Sequence, residues 1–294
     1  MRTLLVLPLI ALIAAAPVKP KTPTEIIAAA PESAWVTIPA EDLLVIDLKK
    51  GGRVVIQLAP DFAPVHVGNI RALAKAHWWD NAAIYRVQDN YVVQWGKNES
   101  TDPLPKGVVA KPPAEYARDV DAAAVHQLGF ADDYAPQAGF VSGWPVGFDP
   151  KSGSANLVHC YGYVGVGRDL SPDTGTGGEL YAVIGHAPRH LDRNIAVVGR
   201  VISGIENMSS LPRGTEALGF YKERTQDVPI ASVQLASDMP AANRPSFQNM
   251  NTNSATFADY VHARANRQDD FFIRPAGGVD LCNASVPVRK APAG

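Results

Sequence analysis

The sequence predicts a mainly β protein with an antiparallel barrel or sandwich. Short runs rich in strand-forming residues recur along the chain, and residues typical of turns separate them. Only two or three segments have the apolar spacing of a helix. Glycine and proline number 24 each in 294 residues, which favours loops and short strands over long helices. These features together are typical of antiparallel β architectures.

Composition narrows the class of protein further. Hydrophobic residues make up 46% of the chain and charged residues 19%, as in an ordinary globular protein of one large or two small domains. The net charge of −2 gives no basic patch of the kind that nucleic-acid binding requires. We therefore expect no nucleic-acid partner.

The first sixteen residues are typical of an export signal. Met1-Arg2 supplies a positive start, residues 4–16 are apolar apart from Pro8, and small residues at 14–16 suit a peptidase. A later cleavage site at 28–30 and an uncleaved anchoring helix remain alternatives. No other stretch approaches about 18 uninterrupted apolar residues, so we expect no membrane association after cleavage. The predicted location is exported, either periplasmic or secreted.

The next segments open the predicted β domain. Residues 17–40 are rich in Pro, Ala and Thr and are expected to form a linker. The apolar runs at 42–48 and 53–58, separated by a Gly-Gly pair, predict a hairpin. Residues 64–76 have helical apolar spacing. A strand is then predicted at 84–95.

The middle of the chain is expected to be a surface insertion. Residues 98–158 contain seven prolines, with a possible short helix at 119–128. The stretches after it that are predicted to be strands are 161–167, 179–185, 194–204 and 229–236, with a short helix at 204–211.

Residues 239–294 form a C-terminal extension. Ser254 is a suitable N-cap for a helix over 254–267. Residues 271–288 predict two more short strands or an extended wrap. The extension has too much apolar surface for a disordered end, since it contains Phe257, Tyr260, Phe271, Phe272 and Ile273. We expect it to pack on the barrel.

Two polar residues, Arg86 and Gln94, occur in the strand predicted at 84–95, and the motifs around them resemble a known family. Four stretches, in this order, resemble motifs of the cyclophilin family of peptidyl-prolyl isomerases. They are GGRVVIQLAPDFAPVHVGNIRALA, AAIYRVQDNYVVQWG, ELYAVIGHAPRHLD and NIAVVGRVISG. The resemblance covers about 42–238 and implies a domain over 41–238. It also implies an eight-stranded antiparallel barrel with two capping helices, which binds proline-containing polypeptides in an outer groove and assists the folding of exported proteins.

The resemblance implies a role for each residue of the Arg86 motif. Arg86 matches the catalytic arginine and Gln94 the groove glutamine. Tyr91 stands for the phenylalanine that packs on the substrate proline, and Val92 for its apolar neighbour. Rotation about a peptide bond costs about 18–20 kcal/mol because the C–N bond has partial double-bond character. A fixed cation that donates to the proline nitrogen would favour the twisted state over the planar one.

Other expected groove positions depart from the family pattern. Leu180 stands for a glutamine, Ala182 for the second pocket phenylalanine, His190 for a tryptophan and Ile195 for a histidine. Gly167 and Leu191 occupy two further positions of the expected groove. This alignment predicts a pocket without its back aromatic, reduced activity, and a gain of activity on Ala182→Phe. A shift of one residue would instead bring Tyr181 into the groove, because such a shift exchanges the faces of a strand.

The departures leave a second function open. A catalytically weak or inactive peptide-binding module or holdase would use the same groove and the 98–158 insertion. We expect neither a cofactor nor a metal, since His159-Cys160 has no second pair at ligand spacing.

The chain has two cysteines, Cys160 and Cys282. An oxidising compartment would allow them to form a disulfide that closes a loop of about 120 residues. Two separate buried thiols are the alternative.

Overall fold

A closed barrel of eight antiparallel strands forms the centre of the molecule. The computed structural model describes residues 19–97 and 102–292. The strands of the barrel are β2 (Leu43–Leu48), β3 (Arg53–Leu58), β4 (Ala83–Val87), β5 (Val92–Gly96), β11 (Tyr163–Val166), β12 (Glu179–Val183), β13 (Val197–Ser203) and β14 (Val228–Leu235). Their order around the barrel is β11-β12-β5-β4-β14-β2-β3-β13, and β13 pairs with β11 to close the ring. The prediction of an eight-stranded antiparallel barrel is confirmed.

Both the barrel strands and the helices that cover them follow from the sequence pattern. Gly51 and Gly52 have φ of 93° and 102° in the β2–β3 turn, a conformation that glycine adopts at little cost. The helix α2 (Pro64–Lys75) buries Val67, Ile70 and Leu73 in the barrel core. The predicted helix at 204–211 is the single turn α3 (Glu206–Ser209), which buries Met208 in the same core.

The insertion forms a sheet of its own, which the sequence did not predict. Its strands are β6 (Arg118–Asp119), β7 (His126–Gln127), β8 (Gln137–Val141), β9 (Trp144–Asp149) and β10 (Ser154–Leu157), in the spatial order β6-β10-β9-β8-β7. The prediction of a helix at 119–128 is wrong. Asp121 caps only one 3₁₀ turn, Ala122–Ala124, and the chain then becomes extended so that Val125 and Leu128 enter a core with Phe140.

Hydrogen bonds to a carboxylate hold the insertion against the barrel helix. The N-cap of α2 is Ala63, which has no side chain to satisfy the free N–H groups at a helix N-terminus. The carboxylate of Glu115, from the insertion, accepts hydrogen bonds from the backbone N–H groups of Val65 and His66 at 2.9 and 3.0 Å. It also contacts Nδ1 of His66 at 2.6 Å. The insertion therefore supplies the missing cap of α2.

Segments from the two ends of the chain pair in a third sheet. The strands β1 (Trp35–Thr37), β15 (Phe247–Met250) and β16 (Val288–Lys290) form it in the order β1-β15-β16. The helices α1 (Pro23–Ala28) and α4 (Ala255–Ala265) pack together. The segment 17–40, expected as a linker, thus contains a helix and a paired strand over its described part.

The C-terminal extension packs on both the barrel and the insertion. Phe247 joins a cluster on the outer faces of β2 and β3. Phe257 of α4 is fully buried, with its ring centroid 4.8 Å from that of Phe140 in the insertion. Ser254 caps α4 by accepting a hydrogen bond from Phe257 N, as the sequence predicts. Where two strands or an extended wrap were expected, the last part of the extension contains one strand, β16, preceded by a 3₁₀ turn.

The two cysteines are bonded to each other in the structure. The disulfide joins Cys160, which precedes β11, to Cys282 in the C-terminal extension, across 122 residues of sequence. It therefore links the point where the insertion rejoins the barrel to the end of the chain.

Two further features concern only residues 19–97 and 102–292. No helix there is long and apolar enough to cross a membrane. No group of three or more His, Cys, Asp or Glu side chains in these ranges is arranged to hold a metal ion. The export signal predicted at 1–16 lies outside the described residues.

Candidate active site

A row of side chains crosses the outer face of three neighbouring barrel strands. Arg86 on β4 lies opposite Gln94 on β5, and Gln94 lies opposite Tyr181 on β12. Directly opposed residues of adjacent strands point to the same face of a sheet. Strand pairing therefore brings the three side chains together on the outside of the barrel.

A β-bulge in β4 directs the arginine outward. Ile84 pairs with Trp95 and Arg86 with Gln94, so Tyr85 is an extra residue in the bulged strand. Ile84 and Trp95 remain fully buried in the barrel core. Bulges re-aim side chains in this way next to functional sites.

Neighbouring oxygens hold the Arg86 guanidinium in a fixed plane. Nη1 donates to Oε1 of Gln94 at 2.9 Å, Nη2 to Oε1 of Gln88 at 2.5 Å, and Nε to the carbonyl oxygen of Leu218 at 2.7 Å. Among the described residues these are its three hydrogen-bond acceptors. Two of its five N–H groups therefore have no acceptor among the described residues.

Two aromatic rings flank the same guanidinium. Its central carbon lies 6.0 Å from the ring centroid of Tyr91 and 5.5 Å from that of Phe220, within the range of cation–π contacts. Burial lowers the pKa of Arg86 from its ordinary value, while the neighbouring tyrosines act in the opposite direction. Burial also raises the pKa of Tyr91, against the effect of Arg86.

The row borders a cavity of about 680 Å³, within the usual size range for ligand pockets. Seven of the residues predicted from the sequence line it: Arg86, Tyr91, Val92, Gln94, Gly167, Leu191 and Ile195. Val92 and Tyr181 belong to a small apolar cluster against which Tyr91 and Ile195 pack. The cavity thus has a charged end at Arg86 and an apolar floor beside it.

The predicted roles of Leu180 and Ala182 are wrong. Both side chains are fully buried in the barrel core and line no part of the groove. Glu179 and Tyr181, one residue earlier in each case, face the cavity instead. Every residue from 180 to 183 is buried, because one face of β12 meets the core and the other meets the groove cluster. The apolar pattern therefore could not select the face, and the back aromatic of the pocket is present as Tyr181.

His190 does not line the cavity either. It is exposed, and its ring stacks on the ring of Tyr91 at a centroid distance of 6.3 Å and an interplanar angle of 3°. It therefore lies behind a groove residue and supports it from the solvent side.

One wall of the cavity comes from a loop that sequence reasoning missed. Leu218 and Phe220 line the cavity next to Arg86, and Phe220 also stacks on Tyr85 with ring centroids 6.0 Å apart. Leu218 has φ 59°, which is costly for a non-glycine residue. No local pattern marks these two residues, since 132 residues separate Leu218 from Arg86 in the sequence.

A closed eight-stranded barrel with an arginine-centred groove on its outer wall defines a class of peptide-binding proteins. The chain belongs to the cyclophilin-type peptidyl-prolyl cis-trans isomerase family. The family model described as "Cyclophilin type peptidyl-prolyl cis-trans isomerase/CLD" matches residues 43–235, which span the whole barrel.

Individual relatives agree with this assignment. The chain is 25% identical over 177 residues to a probable peptidyl-prolyl cis-trans isomerase of Brucella suis biovar 1, covering 60% of this chain and 74% of the relative. A Brucella abortus protein described in the same words gives the same identity and coverage. The crystal structure of cyclophilin AquaCyp293 from Hirschia baltica superposes with a TM-score of 0.69 at 21% identity. It covers 92% of this chain and 97% of that one, and so supports the fold beyond residues 43–235.

Proposed function

We propose that this protein accelerates cis–trans isomerisation of X-Pro bonds in exported polypeptides, with Arg86 polarising the proline nitrogen. The observation that carries the proposal is the row Arg86, Gln94, Tyr181, which sets a fixed cation beside an apolar pocket. X-Pro bonds isomerise in about 10–100 s unaided. Each 1.4 kcal/mol, roughly, by which the groove prefers the twisted state over the planar one raises this rate about tenfold.

The charged and apolar parts of the groove act on different parts of the substrate. The two remaining N–H groups of Arg86 donate to the proline nitrogen as its lone pair leaves conjugation. Gln94 and Gln88 hold the planar guanidinium in one orientation before substrate arrives, so little reorganisation is needed during the reaction. The apolar floor of Val92 and Tyr181 receives the pyrrolidine ring and excludes water.

Two other features support an exported location for the protein. Residues 1–16 are typical of an export signal, and Cys160–Cys282 is a bond that oxidising compartments preserve. We expect the mature chain in the periplasm or outside the cell, where newly exported proteins are its substrates. Cell fractionation with N-terminal sequencing of the mature protein tests this, and an intact N-terminus in the cytosolic fraction would contradict it.

One residue of the groove still supports a second function. Ile195 lines the groove at the position where the family has a histidine, so one expected polar group is missing. A module that binds proline-containing segments without turning them over would use the same apolar floor. Leu180 and Ala182 no longer support this alternative, since neither faces the groove.

A protease-coupled assay on a proline-containing peptide separates the two functions. We expect Arg86→Ala to lose most of the activity, at least about tenfold, while its circular dichroism spectrum and melting temperature stay close to those of the parent. Arg86→Lys should fail as well, because an ammonium lacks the planar fork that Gln94 and Gln88 hold.

Arg53→Ala provides the matched control. Arg53 is an arginine on the barrel strand β3, paired with Asp47 away from the groove, so its loss should leave the rate unchanged. An Arg86→Ala variant as fast as the parent would refute the role of Arg86. A parent that binds the peptide without accelerating its isomerisation would favour the binding module.

A further inference from the structure

A chain of buried polar side chains runs beneath the groove and ends at Tyr181. The hydroxyl of Tyr181 lies 2.9 Å from Nε2 of His159, and Nδ1 of His159 lies 2.9 Å from Oδ1 of Asp192. All three residues are at most 5% exposed. Buried polar groups of this kind are stabilising only when each has a partner, and here each one does.

The partners fix the direction of each hydrogen bond. The carboxylate of Asp192 accepts, which assigns the ring hydrogen of His159 to Nδ1. Nε2 then accepts the O–H of Tyr181. The backbone N–H of His159 also donates to Asp192 at 2.9 Å, so the histidine is held at two points. Burial raises the pKa of Tyr181, which keeps its hydroxyl protonated as a donor.

The chain of contacts continues into the insertion. Arg189 is 4% exposed and donates from Nε to Oδ2 of Asp192. Its two other nitrogens donate to the two carboxylate oxygens of Asp132 at 2.9 and 3.0 Å, a bidentate pair. Burial is the largest influence on Asp132 and would raise its pKa. The hydrogen bonds and charge of Arg189, together with hydrogen bonds from the backbone N–H groups of Tyr134 and Ala135, bring that pKa below the ordinary value of 3.8.

The strand next to β12 leaves room for the tyrosine. Gly165 on β11 pairs with Tyr181, and a Cβ atom at residue 165 would lie 2.3 Å from the Tyr181 hydroxyl oxygen. Real Cβ atoms do not approach so closely, so the tyrosine can cross β11 to reach His159 only because residue 165 is glycine. The glycine at 165 and the packing around it therefore determine the position of the Tyr181 ring.

The same network supports the other side of the groove. Asp192 lies in the loop that carries Leu191 and Ile195, both of which line the cavity. Hydrogen bonds from His159 and Arg189 to Asp192 therefore connect this loop to Tyr181. A groove whose walls are fixed before binding loses less conformational entropy when a ligand enters.

We infer that His159 is a positioning residue, which acts through the Tyr181 hydroxyl to hold the aromatic wall of the substrate pocket. The inference rests on the proposed function of the groove. His159 contacts no substrate itself. Its role is to set the angle of the Tyr181 ring, with Asp192 fixing the histidine and the insertion, through Asp132 and Arg189, fixing Asp192.

Tyr181→Phe tests the inference because it keeps the ring and removes only the hydroxyl. We expect KM for a proline-containing tetrapeptide, and its Kd from calorimetry, to rise about three- to tenfold, which is the effect of one net hydrogen bond. The kcat should change less than about twofold, since Arg86 is untouched. His159→Leu should reproduce both effects.

Three further variants distinguish a positioning role of His159 from an effect on the stability of the protein alone. His159→Gln, whose amide oxygen can replace Nε2 as acceptor, should restore KM to within about twofold of the parent. His159→Leu combined with Tyr181→Phe should raise KM no further than either change alone. Tyr260→Phe removes another part-buried tyrosine hydroxyl, bonded to the Ser285 carbonyl far from the groove, and should leave KM unchanged.

The outcomes separate this inference from the proposed function. An unchanged KM and Kd in a folded Tyr181→Phe variant would overturn the positioning role, and so would effects that multiply in the double variant. A parent that binds the peptide without turnover would contradict the proposed isomerase activity alone, because Kd still reports on the ring position. A parent that neither binds nor isomerises the peptide would contradict both.

Discussion

Tyr181 and Ala182 are consecutive residues of β12, yet one lines the groove and the other lies in the barrel core. Ala182 pairs with Val93, which is also fully buried, so the space around its methyl group is already filled. The sequence alignment that placed Ala182 in the pocket predicted a gain of activity for Ala182→Phe. The structure reverses that expectation.

We expect Ala182→Phe to destabilise the protein by about 1–3 kcal/mol, because overpacking a filled core forces side chains and backbone to shift. Urea denaturation followed by fluorescence measures the change, and the isomerase rate should not rise. Ala231→Phe, on the exposed face of the barrel strand β14, is the control and should change stability little. A faster Ala182→Phe variant of normal stability would place residue 182 in the groove after all.

The sequence predicted some residues of the groove and missed others, for physical reasons. The single strand predicted at 84–95 is in fact the two antiparallel strands β4 and β5. Arg86 and Gln94 are polar residues within these apolar strands, which marks them for a role outside the core. Nothing in the sequence distinguishes Tyr181 in this way. Both faces of β12 are buried, so polar and apolar residues do not alternate along that strand. Leu218 and Phe220 reach Arg86 from a distant loop, and only the folded chain shows the contact.

Among the elements, α4 shows how the C-terminal extension is attached. Its apolar face places Phe257 against Phe140 of the insertion, with the two rings edge to face. The same helix contacts α1, so it lies between the insertion and the beginning of the chain. Aromatic pairs of this geometry contribute about 0.5–1.5 kcal/mol beyond the burial of their area.

Phe257→Ala should destabilise the protein by about 3–5 kcal/mol, the usual range for deleting a buried phenylalanine. Thermal and urea denaturation measure the loss. Phe271→Ala, in the same extension but 84% exposed, is the matched control and should change stability by less than about 0.5 kcal/mol. A loss for Phe257→Ala as small as the one expected for Phe271→Ala would mean that the packing of Phe257 contributes little to stability.

The elements that the sequence predicted share a regular period or a strong turn. The β2–β3 hairpin has its Gly-Gly turn, α2 has apolar residues at helical spacing, and α4 has Ser254 as a cap. In the sheet of the insertion, β6 and β7 have two residues each, too short for any period to show. The longer strands β8 and β9 are buried along almost their whole length, so buried and exposed residues do not alternate there. The strand β1 was missed because it is short as well, and because its partner β15 is more than 200 residues away.

For the molecule as a whole, one covalent bond ties the extension to the barrel. Cys160 is 3% exposed and lies beside His159, at the point where the insertion ends. The bond closes a loop of 122 residues, which constrains the unfolded chain strongly. It supplements the apolar packing of Phe247 on the barrel and of Phe257 on the insertion.

We expect the double variant Cys160→Ala and Cys282→Ala to lose up to nearly 5 kcal/mol of stability on the loop-entropy model, with measured losses more often about 2–4 kcal/mol. The isomerase rate per folded molecule should remain, since Arg86 and its partners are untouched. Urea denaturation measures the loss, and the parent under reducing conditions should match the variant. An unchanged denaturation midpoint would show that the bond constrains nothing that packing does not already fix.

The same bond has a consequence for synthesis. The ribosome makes Cys282 122 residues after Cys160, when every strand of the barrel has already been produced. Until then Cys160 has no correct partner, and because the chain contains only two cysteines it has no incorrect one within the same molecule either. A chain with two cysteines allows one pairing, so any error must join two molecules. The protein therefore needs an oxidant to complete its fold, but it has no internal disulfides to reshuffle.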